Sequence, residues 1–221
     1  NPSLVGSEMC IRDSPDAAGQ ITGMVWDPTT EKFIAMDIDG NIYTVSTTGD
    51  YLQISTFDQA VSLSGFTVDG ASVYGVNGTN LYEFNPLTGF TTTTTVLMSF
   101  GEAIVSATDI ATDPLSGDTY IIYTTGASAT SYIGTLDLAT GMITEQGDTF
   151  IDFGGITIDA TGQVYGVSSK AAGSDLYTIK CAIPGDDYIE ITNFGPSTYD
   201  VSCLNIARTL VNGDEEIYVC L

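Results

Sequence analysis

The fold is decided by a stretch near the start of the chain that reads ITGMVWDP at residues 21–28 and returns three times. The later copies read LSGFTVD at 63–69, ATDIATDP at 107–114 and FGGITID at 153–159. The Asp that closes each copy stands at Asp27, Asp69, Asp113 and Asp159, so the copies are 42, 44 and 46 residues apart. A unit of about 44 residues that recurs four times is typical of a repeat architecture.

Each unit continues with three more short segments that are rich in Val, Ile, Thr and Tyr and are separated by Gly, Asp, Asn and Pro. In the first unit these segments occupy residues 33–36, 41–45 and 51–54. No apolar period of 3.6 residues is sustained, so helices should be nearly absent. Four-stranded units at this period predict an all-β fold, a β-propeller of four-stranded blades, with a β-sandwich or β-solenoid as the alternative.

The repeat predicts blades at residues 20–58, 61–100, 104–149 and 151–195, and two strands of a fifth blade at 199–221. About 4.5 blades are therefore expected within a propeller domain at 15–221, as an open ring or as a fragment of a larger ring of six or seven blades. Residues 4–14 resemble a translated sequencing adaptor and match nothing in the repeats. We therefore set residues 1–14 aside as an artefact or a disordered segment.

Two recurring residue types fit the stacking of blades. The first strand contains Gly23, Gly65 and Gly155, and a missing side chain there would let neighbouring backbones approach near the crowded axis. The third strand carries a tyrosine that would pack between blades. These tyrosines are Tyr43, Tyr82 and Tyr177.

The turns after the third strand carry a family resemblance. The segments Asn85-Pro86-Leu87-Thr88-Gly89 and Asp137-Leu138-Ala139-Thr140-Gly141 are similar to the turns of secreted β-propeller repeat proteins, a loose group of NHL-like and uncharacterised extracellular repeats. The marks of WD40 and kelch repeats are absent. The resemblance implies a binding scaffold, sometimes an enzyme, that usually acts outside the cell.

The charge of the chain excludes several kinds of partner. It carries 28 acidic and 5 basic residues, a net charge of −23. Nucleic acid is excluded because phosphate binding needs clustered Lys and Arg, and docking on anionic lipid is disfavoured for the same reason. No run of 18 apolar residues occurs, so membrane insertion is not expected.

The sequence offers little for catalysis. It contains no histidine, the commonest general acid or base at neutral pH. Paired carboxylates of the glycosidase type remain an alternative, but the acids mostly stand in turns, as in Asp27-Pro28, Asp113-Pro114, Asp159 and Asp186-Asp187, where a side-chain oxygen binds the backbone of the turn. We therefore expect no catalytic residues, no enzyme activity and no bound cofactor except calcium, for which the sequence offers one candidate segment.

The calcium candidate is the segment Asp37, Asp39 and Asn41 around Gly40, which resembles the opening of a calcium loop but lacks the downstream Glu. A simple Asp-Gly hairpin is the alternative reading. Asn77 begins the sequon Asn77-Gly78-Thr79 and is a candidate for glycosylation, although Asn-Gly is also a favoured turn dipeptide.

Three cysteines, Cys181, Cys203 and Cys220, lie near the end of the chain and are disulfide candidates in an oxidising compartment. Their alternative state is that of buried free thiols.

Three functions follow as hypotheses. The first is a non-catalytic extracellular or cell-surface propeller that serves adhesion or builds a surface structure or filament, with protein partners or copies of itself. The uncharged Thr91–Thr95 run, read as an outer strand, supports this because such edges pair with other chains. The second is a carbohydrate-binding propeller that holds glycans with residues such as Tyr51 and Tyr199. The third is a calcium-dependent lactonase or lyase.

Overall fold

The computed structural model describes residues 20–70, 72–126, 130–168, 175–180, 190–196, 203–208 and 215–220, and the last three ranges are described by their backbone. All regular structure in these residues is β-strand. The prediction of an all-β propeller built of four-stranded blades is confirmed.

Each of the first two blades is one antiparallel sheet whose strands are ordered as in the chain. Blade 1 contains β1 (Ile21–Asp27), β2 (Lys32–Asp37), β3 (Asn41–Val45) and β4 (Tyr51–Thr56). Blade 2 contains β5 (Gly65–Asp69), β6 (Ser72–Asn77), β7 (Asn80–Phe84) and β8 (Thr91–Val96).

Blade 3 is larger than the repeat predicts. The short strands β9 (Met98–Ser99) and β10 (Glu102–Ala103) precede β11 (Ser106–Thr112), β12 (Thr119–Thr124), β13 (Tyr132–Leu136) and β14 (Met142–Asp148). Strand β9 pairs in parallel with β14, so the segment that leaves blade 2 extends the outer edge of blade 3.

Blade 4 contains β15 (Phe153–Ile158), β16 (Val164–Ser168), β17 (Asp175–Lys180) and β18 (Glu190–Pro196). A pair of strands follows, β19 (Cys203–Arg208) and β20 (Glu215–Cys220). Strand β19 contacts both β15 and β1, so the innermost strands β1, β5, β11, β15 and β19 meet in a closed cycle of five. The described innermost strands thus meet as a ring of five, whereas the repeat count predicted an open ring or a fragment of a ring of six or seven blades.

The hydrophobic core lies between the blades. Between blades 1 and 2, the buried side chains of Met36, Ile42, Phe66 and Phe84 belong to one cluster. The ring of Phe57 meets that of Phe84 edge-on at 5.3 Å, a favoured aromatic geometry. Because each sheet has two apolar faces, blades stacked around an axis bury surface that a lone four-stranded sheet would leave exposed.

Candidate functional site

The segment predicted to bind calcium is a hydrogen-bonded turn at the end of β2. Asp37 is fully buried, and its Oδ1 accepts the backbone N–H groups of Asp39 at 3.0 Å and Asn41 at 2.8 Å. Its Oδ2 accepts Asn41 Nδ2 at 3.0 Å and the Tyr43 hydroxyl at 2.9 Å. Four donors therefore surround this carboxylate.

These contacts set the electrostatics of the turn. Burial pushes the pKa of Asp37 upward, but hydrogen bonds from Asn41, Tyr43 and Asp39 outweigh it and leave the pKa below its usual value. Burial, followed by the hydrogen bond to Asp37, raises the pKa of Tyr43 to about 12. The carboxylate is thus held ionised and the phenol neutral at ordinary pH.

The same turn occurs in blade 4. Asp159 Oδ1 accepts the backbone N–H of Thr161 at 2.8 Å and of Gln163 at 2.9 Å, and its Oδ2 accepts the Tyr165 hydroxyl at 3.2 Å. The sequences DIDGNIY at 37–43 and DATGQVY at 159–165 share the Asp, the Gly and the Tyr. Since Thr161 takes the place of Asp39 in the second copy, this turn forms without a second acid.

The calcium assignment of Asp37, Asp39 and Asn41 stays a prediction. The three residues are brought together, but Asp39 is exposed, whereas Asp37 is buried. In the part of the chain that the structure describes, no group of three or more Asp, Glu, His or Cys side chains is arranged to hold a metal ion.

The acids that close the innermost strands bind their own turns. Asp27 Oδ1 accepts the backbone N–H of Thr29 at 2.9 Å, and Asp113 Oδ1 accepts that of Leu115 at 2.8 Å. The turn roles predicted for Asp27, Asp113 and Asp159 are therefore seen, whereas Asp186 and Asp187 lie outside the described residues.

One carboxylate lies at the centre of the ring, and the sequence did not single it out. Asp109 occupies the place in β11 that Gly23, Gly65 and Gly155 occupy in the other innermost strands. Its carboxylate accepts the backbone N–H groups of Ile110 and, in the next blade, Ile156, both at 2.8 Å. A Cβ atom on Gly65 would overlap the Asp109 side chain, so glycine is required there. Complete burial raises the pKa of Asp109 well above its usual value against the opposing effect of these two hydrogen bonds.

The turns that carried the family resemblance contact the chain segments that leave the outer strands of the preceding blades. The carbonyl of Gly89 accepts the backbone N–H of Asp58 at 3.0 Å, and the carbonyl of Gly141 accepts that of Met98 at 3.0 Å. Gly89 has a φ of +75°, and a Cβ there would overlap the carbonyl of Thr56 at the end of β4. The Thr-Gly ending of the turn is thus explained by its contact with the preceding blade.

The Thr91–Thr95 run forms an outer strand, as predicted. Strand β8 lies at the edge of its sheet, and among the described residues its one neighbouring strand is β7. Thr92, Thr93 and Thr94 are exposed. No residue of β8 is charged, so this edge lacks the charges that commonly prevent pairing with another chain.

A groove of about 370 Å³ lies between blades 1 and 2. Residues of both blades and of the turn after β7 line it. Among them are Asp27, Ile34, Thr44, Ile54, Phe84 and Leu87. The groove is large enough for a small ligand and is mainly apolar.

The other predicted sites are placed as follows. Asn77 is half-buried, and its Nδ2 donates to the carbonyl of Ser62 at 2.6 Å, so its glycosylation stays a prediction.

Cys203 and Cys220 are directly opposite in the β19–β20 pair, whereas Cys181 lies outside the described residues. Tyr51 is exposed on β4, edge-on to Tyr43 at 6.2 Å, and Tyr199 lies outside the described residues. Among the described residues, no helix is long and apolar enough to cross a membrane.

The comparisons with known proteins bear on the fold. No protein-family model and no curated protein matches the sequence. A chain of the nidogen/laminin complex is 18% identical with a TM-score of 0.59, over 90% of this chain and 79% of that one. A protein described as a gluconolactonase is 12% identical with a TM-score of 0.60, and the match covers 94% of this chain and 80% of that one. An auxiliary nutrient-binding protein from Bacteroides ovatus is 16% identical with a TM-score of 0.61, and the match covers 92% of this chain and 53% of that one. At these identities the likeness concerns the fold alone, and the chain is a member of the β-propeller fold.

Proposed function

We propose that this chain is a non-catalytic extracellular propeller that serves adhesion or builds a surface structure or filament through contacts with other protein chains. The observation that carries the proposal is the outer strand β8, which is uncharged, exposed and paired on one side within the described residues. Backbone donors and acceptors on such an edge are available to a strand of another chain.

The state of the acidic residues supports a non-catalytic role. Asp27, Asp37, Asp113 and Asp159 accept hydrogen bonds that fix turns. The strongly buried Asp109 accepts two backbone N–H groups between adjacent blades. Carboxylates engaged in this way stabilise the ring and are poorly placed to transfer protons to a substrate.

An extracellular or cell-surface location accords with the charge of the chain. A net charge of −23 keeps a protein soluble, while salt outside the cell screens the repulsion between copies. Association through a neutral strand edge is then compatible with the acidic surface.

The experiment compares Thr93→Lys with Thr29→Lys. Thr93 is exposed on the β8 edge, and Thr29 is exposed in the turn after β1. Size-exclusion chromatography with light scattering, over a series of concentrations in physiological salt, should show assemblies of the wild type and of Thr29→Lys. A lysine on a strand edge blocks pairing, so Thr93→Lys should remain monomeric. A wild type that stays a monomer at all concentrations, and carries no partner in images of native material, would contradict the proposal.

The groove between blades 1 and 2 favours carbohydrate binding as a second candidate function. Asp27 and Thr44 at its walls offer hydrogen-bonding groups beside the apolar Ile54 and Leu87. A glycan array probed in calcium and again in EDTA tests this function, and the absence of binding in both would remove it. Turnover of lactones that stops in EDTA would instead favour the lactonase alternative.

A further inference from the structure

Two phenylalanines protrude from the rim of blade 3. Phe100 is 81% exposed and Phe150 is 82% exposed. Phe100 lies on the connection from blade 2 to blade 3, and Phe150 on the connection from blade 3 to blade 4. A single exposed apolar residue is ordinary, but these two also share an unusual backbone conformation.

Both residues have a left-handed backbone, with φ of +52° at Phe100 and +56° at Phe150. This region is rare for bulky side chains and disfavours them. The exposed rings gain little packing energy that would offset this cost. Strain of this kind, where the fold itself gains nothing from it, points to a role in contacts outside the chain.

Hydrogen bonds fix the backbone around Phe150. Asp148 Oδ1 accepts the Phe150 N–H at 2.7 Å, while the hydroxyl of the buried Thr149 lies 2.6 Å from the carbonyl of Ser131 and 2.8 Å from that of Ile151. The residues on both sides are thus tied to the blade, and the ring of Phe150 points outward from a rigid support.

Phe100 is supported in a comparable way. It forms the two-residue turn between β9 and β10 together with Gly101, whose φ is +80°. Hairpin turns with two left-handed residues strongly prefer Asn-Gly, so a Phe at the first position is atypical. On the inner side, the hydroxyl of the buried Ser99 lies 3.3 Å from that of Tyr123.

Strand β14 connects the two sites. Ser99, next to Phe100, pairs with Ile143 at the start of β14, and Phe150 follows Asp148 at its end. The six strand residues from Ile143 to Asp148 extend about 20 Å, so the two backbone positions are too far apart for one small ligand but within the span of a protein interface.

The charge around the rings indicates the chemistry of the partner. Glu102 and Asp152 are exposed beside Phe100 and Phe150. The basic side chains that the structure describes are Lys32 and Lys180, which lie in blades 1 and 4. A second copy of this chain would bring the same large negative charge to the surface, whereas a basic surface would be attracted.

We propose that Phe100 and Phe150 form a docking surface for a different protein, one that presents apolar pockets surrounded by Lys and Arg. Rigid, exposed aromatic side chains are the usual anchors of protein interfaces, and each ring can bury roughly 150–250 Å². This proposal rests on the proposed function and adds a second surface to it: strand β8 pairs with strands of other chains, whereas the two rings hold a basic protein partner.

The test measures binding of a labelled peptide of alternating Leu and Lys by fluorescence anisotropy. A Ser/Lys peptide of equal charge gives the electrostatic baseline. The variant Phe100→Asn/Phe150→Asn keeps the charge of the protein and places Asn, which tolerates the left-handed region, at both sites. Phe90→Asn, at a ring that is 64% exposed on the blade 2 turn after β7, is the matched control.

We expect the double variant to bind the Leu/Lys peptide at least tenfold more weakly than the wild type, and Phe90→Asn to stay within twofold. The double variant should also melt higher, by about 2–4 °C for each strained residue relieved. Equal binding by the wild type and double variant, no binding by the wild type beyond the Ser/Lys baseline, or a lower melting temperature of the double variant would overturn the proposal. Light scattering on the same samples separates the two proposals, since the double variant should still self-assemble through β8.

Discussion

The carboxylate of Asp109 in blade 3 accepts the backbone N–H of Ile156 in blade 4 at 2.8 Å. The same carboxylate accepts the N–H of Ile110 in its own strand, also at 2.8 Å. One acidic side chain therefore connects two innermost strands at the centre of the ring, at a position that is glycine in the other three complete blades. This contact makes the stability of the ring sensitive to the charge on Asp109.

Asp109 should make the protein less stable as the pH rises. Burial raises its pKa in the folded state, so the fold favours the protonated form. The protonated Asp109 therefore contributes to the free energy of unfolding. This contribution is fully present below the unfolded pKa of about 3.9 and is lost as the pH rises through the folded pKa. Urea unfolding between pH 4 and pH 8 should show the wild type losing stability relative to Asp109→Asn. If the free energies of unfolding of the wild type and Asp109→Asn instead change in parallel with pH, the prediction is contradicted. Asp69→Asn, at an exposed position, serves as the control.

Gly65 should not tolerate a side chain. A Cβ at this position would lie 2.6 Å from the backbone Cα of Asp109, which cannot move without separating blades 2 and 3. Gly65→Ala should therefore lower the free energy of unfolding by about 3 kcal/mol, at the upper end of overpacking costs. At Gly126 the nearest atom to a new Cβ is a Val105 methyl at 3.6 Å, so Gly126→Ala should change stability by less than about 0.5 kcal/mol. Equal effects in chemical denaturation would refute the close approach.

Asp37 should stabilise blade 1 most at neutral pH. Its folded pKa is lowered, so its contribution is present above the unfolded pKa and is lost as the pH falls through the folded value. Asp37→Ala removes an acceptor for four donors and should lower the free energy of unfolding by about 3–5 kcal/mol. This difference from the wild type should shrink below pH 4. The exposed Asp39→Ala should have little effect. If Asp39→Ala proves as costly as Asp37→Ala, the turn is not held as described.

Calcium should leave the melting temperature unchanged if these four donors satisfy Asp37. Differential scanning fluorimetry in calcium and in EDTA measures this directly, with Asp39→Ala as the variant that removes a calcium ligand without opening the turn. A saturable stabilisation by calcium that Asp39→Ala abolishes would instead establish the predicted calcium site at Asp37, Asp39 and Asn41.

Cys203 and Cys220 should form a disulfide when the protein matures in an oxidising compartment. They are directly opposite in an antiparallel pair, where Cα atoms lie about 4.5–5.5 Å apart, within the range that a disulfide spans. Peptide mapping by mass spectrometry without reduction should recover the 203–220 pair. Recovery of Cys181 bound to either partner would contradict the pairing.

The repeat was readable because the closing Asp and the alternating apolar residues recur at each first strand, and these residues dictate both turn and core. The pairing of Met98 with blade 3 could not be predicted from the sequence, because no Gly or Pro separates Met98 from the Thr91–Val96 strand. Asp109 was missed although a signal existed: it fills the one place where the aligned strands otherwise carry glycine. The Asp37 turn was also detectable, since the Tyr after it recurs at Tyr165. The left-handed backbone of Phe100 and Phe150 follows from loop geometry, which a Phe in a sequence does not indicate.

Hydrogen exchange read by mass spectrometry, on dilute and on concentrated protein, tests most directly whether a rigid ring presents an open strand edge to other chains. Peptides from β5, β11 and β15, including the Ile156 amide, should exchange slowest at both concentrations. The β8 peptide Thr91–Val96 should exchange quickly in dilute protein and become protected in the concentrated sample. A β8 peptide that stays equally unprotected in assembled protein, or innermost strands that exchange as fast as β8, would contradict the account.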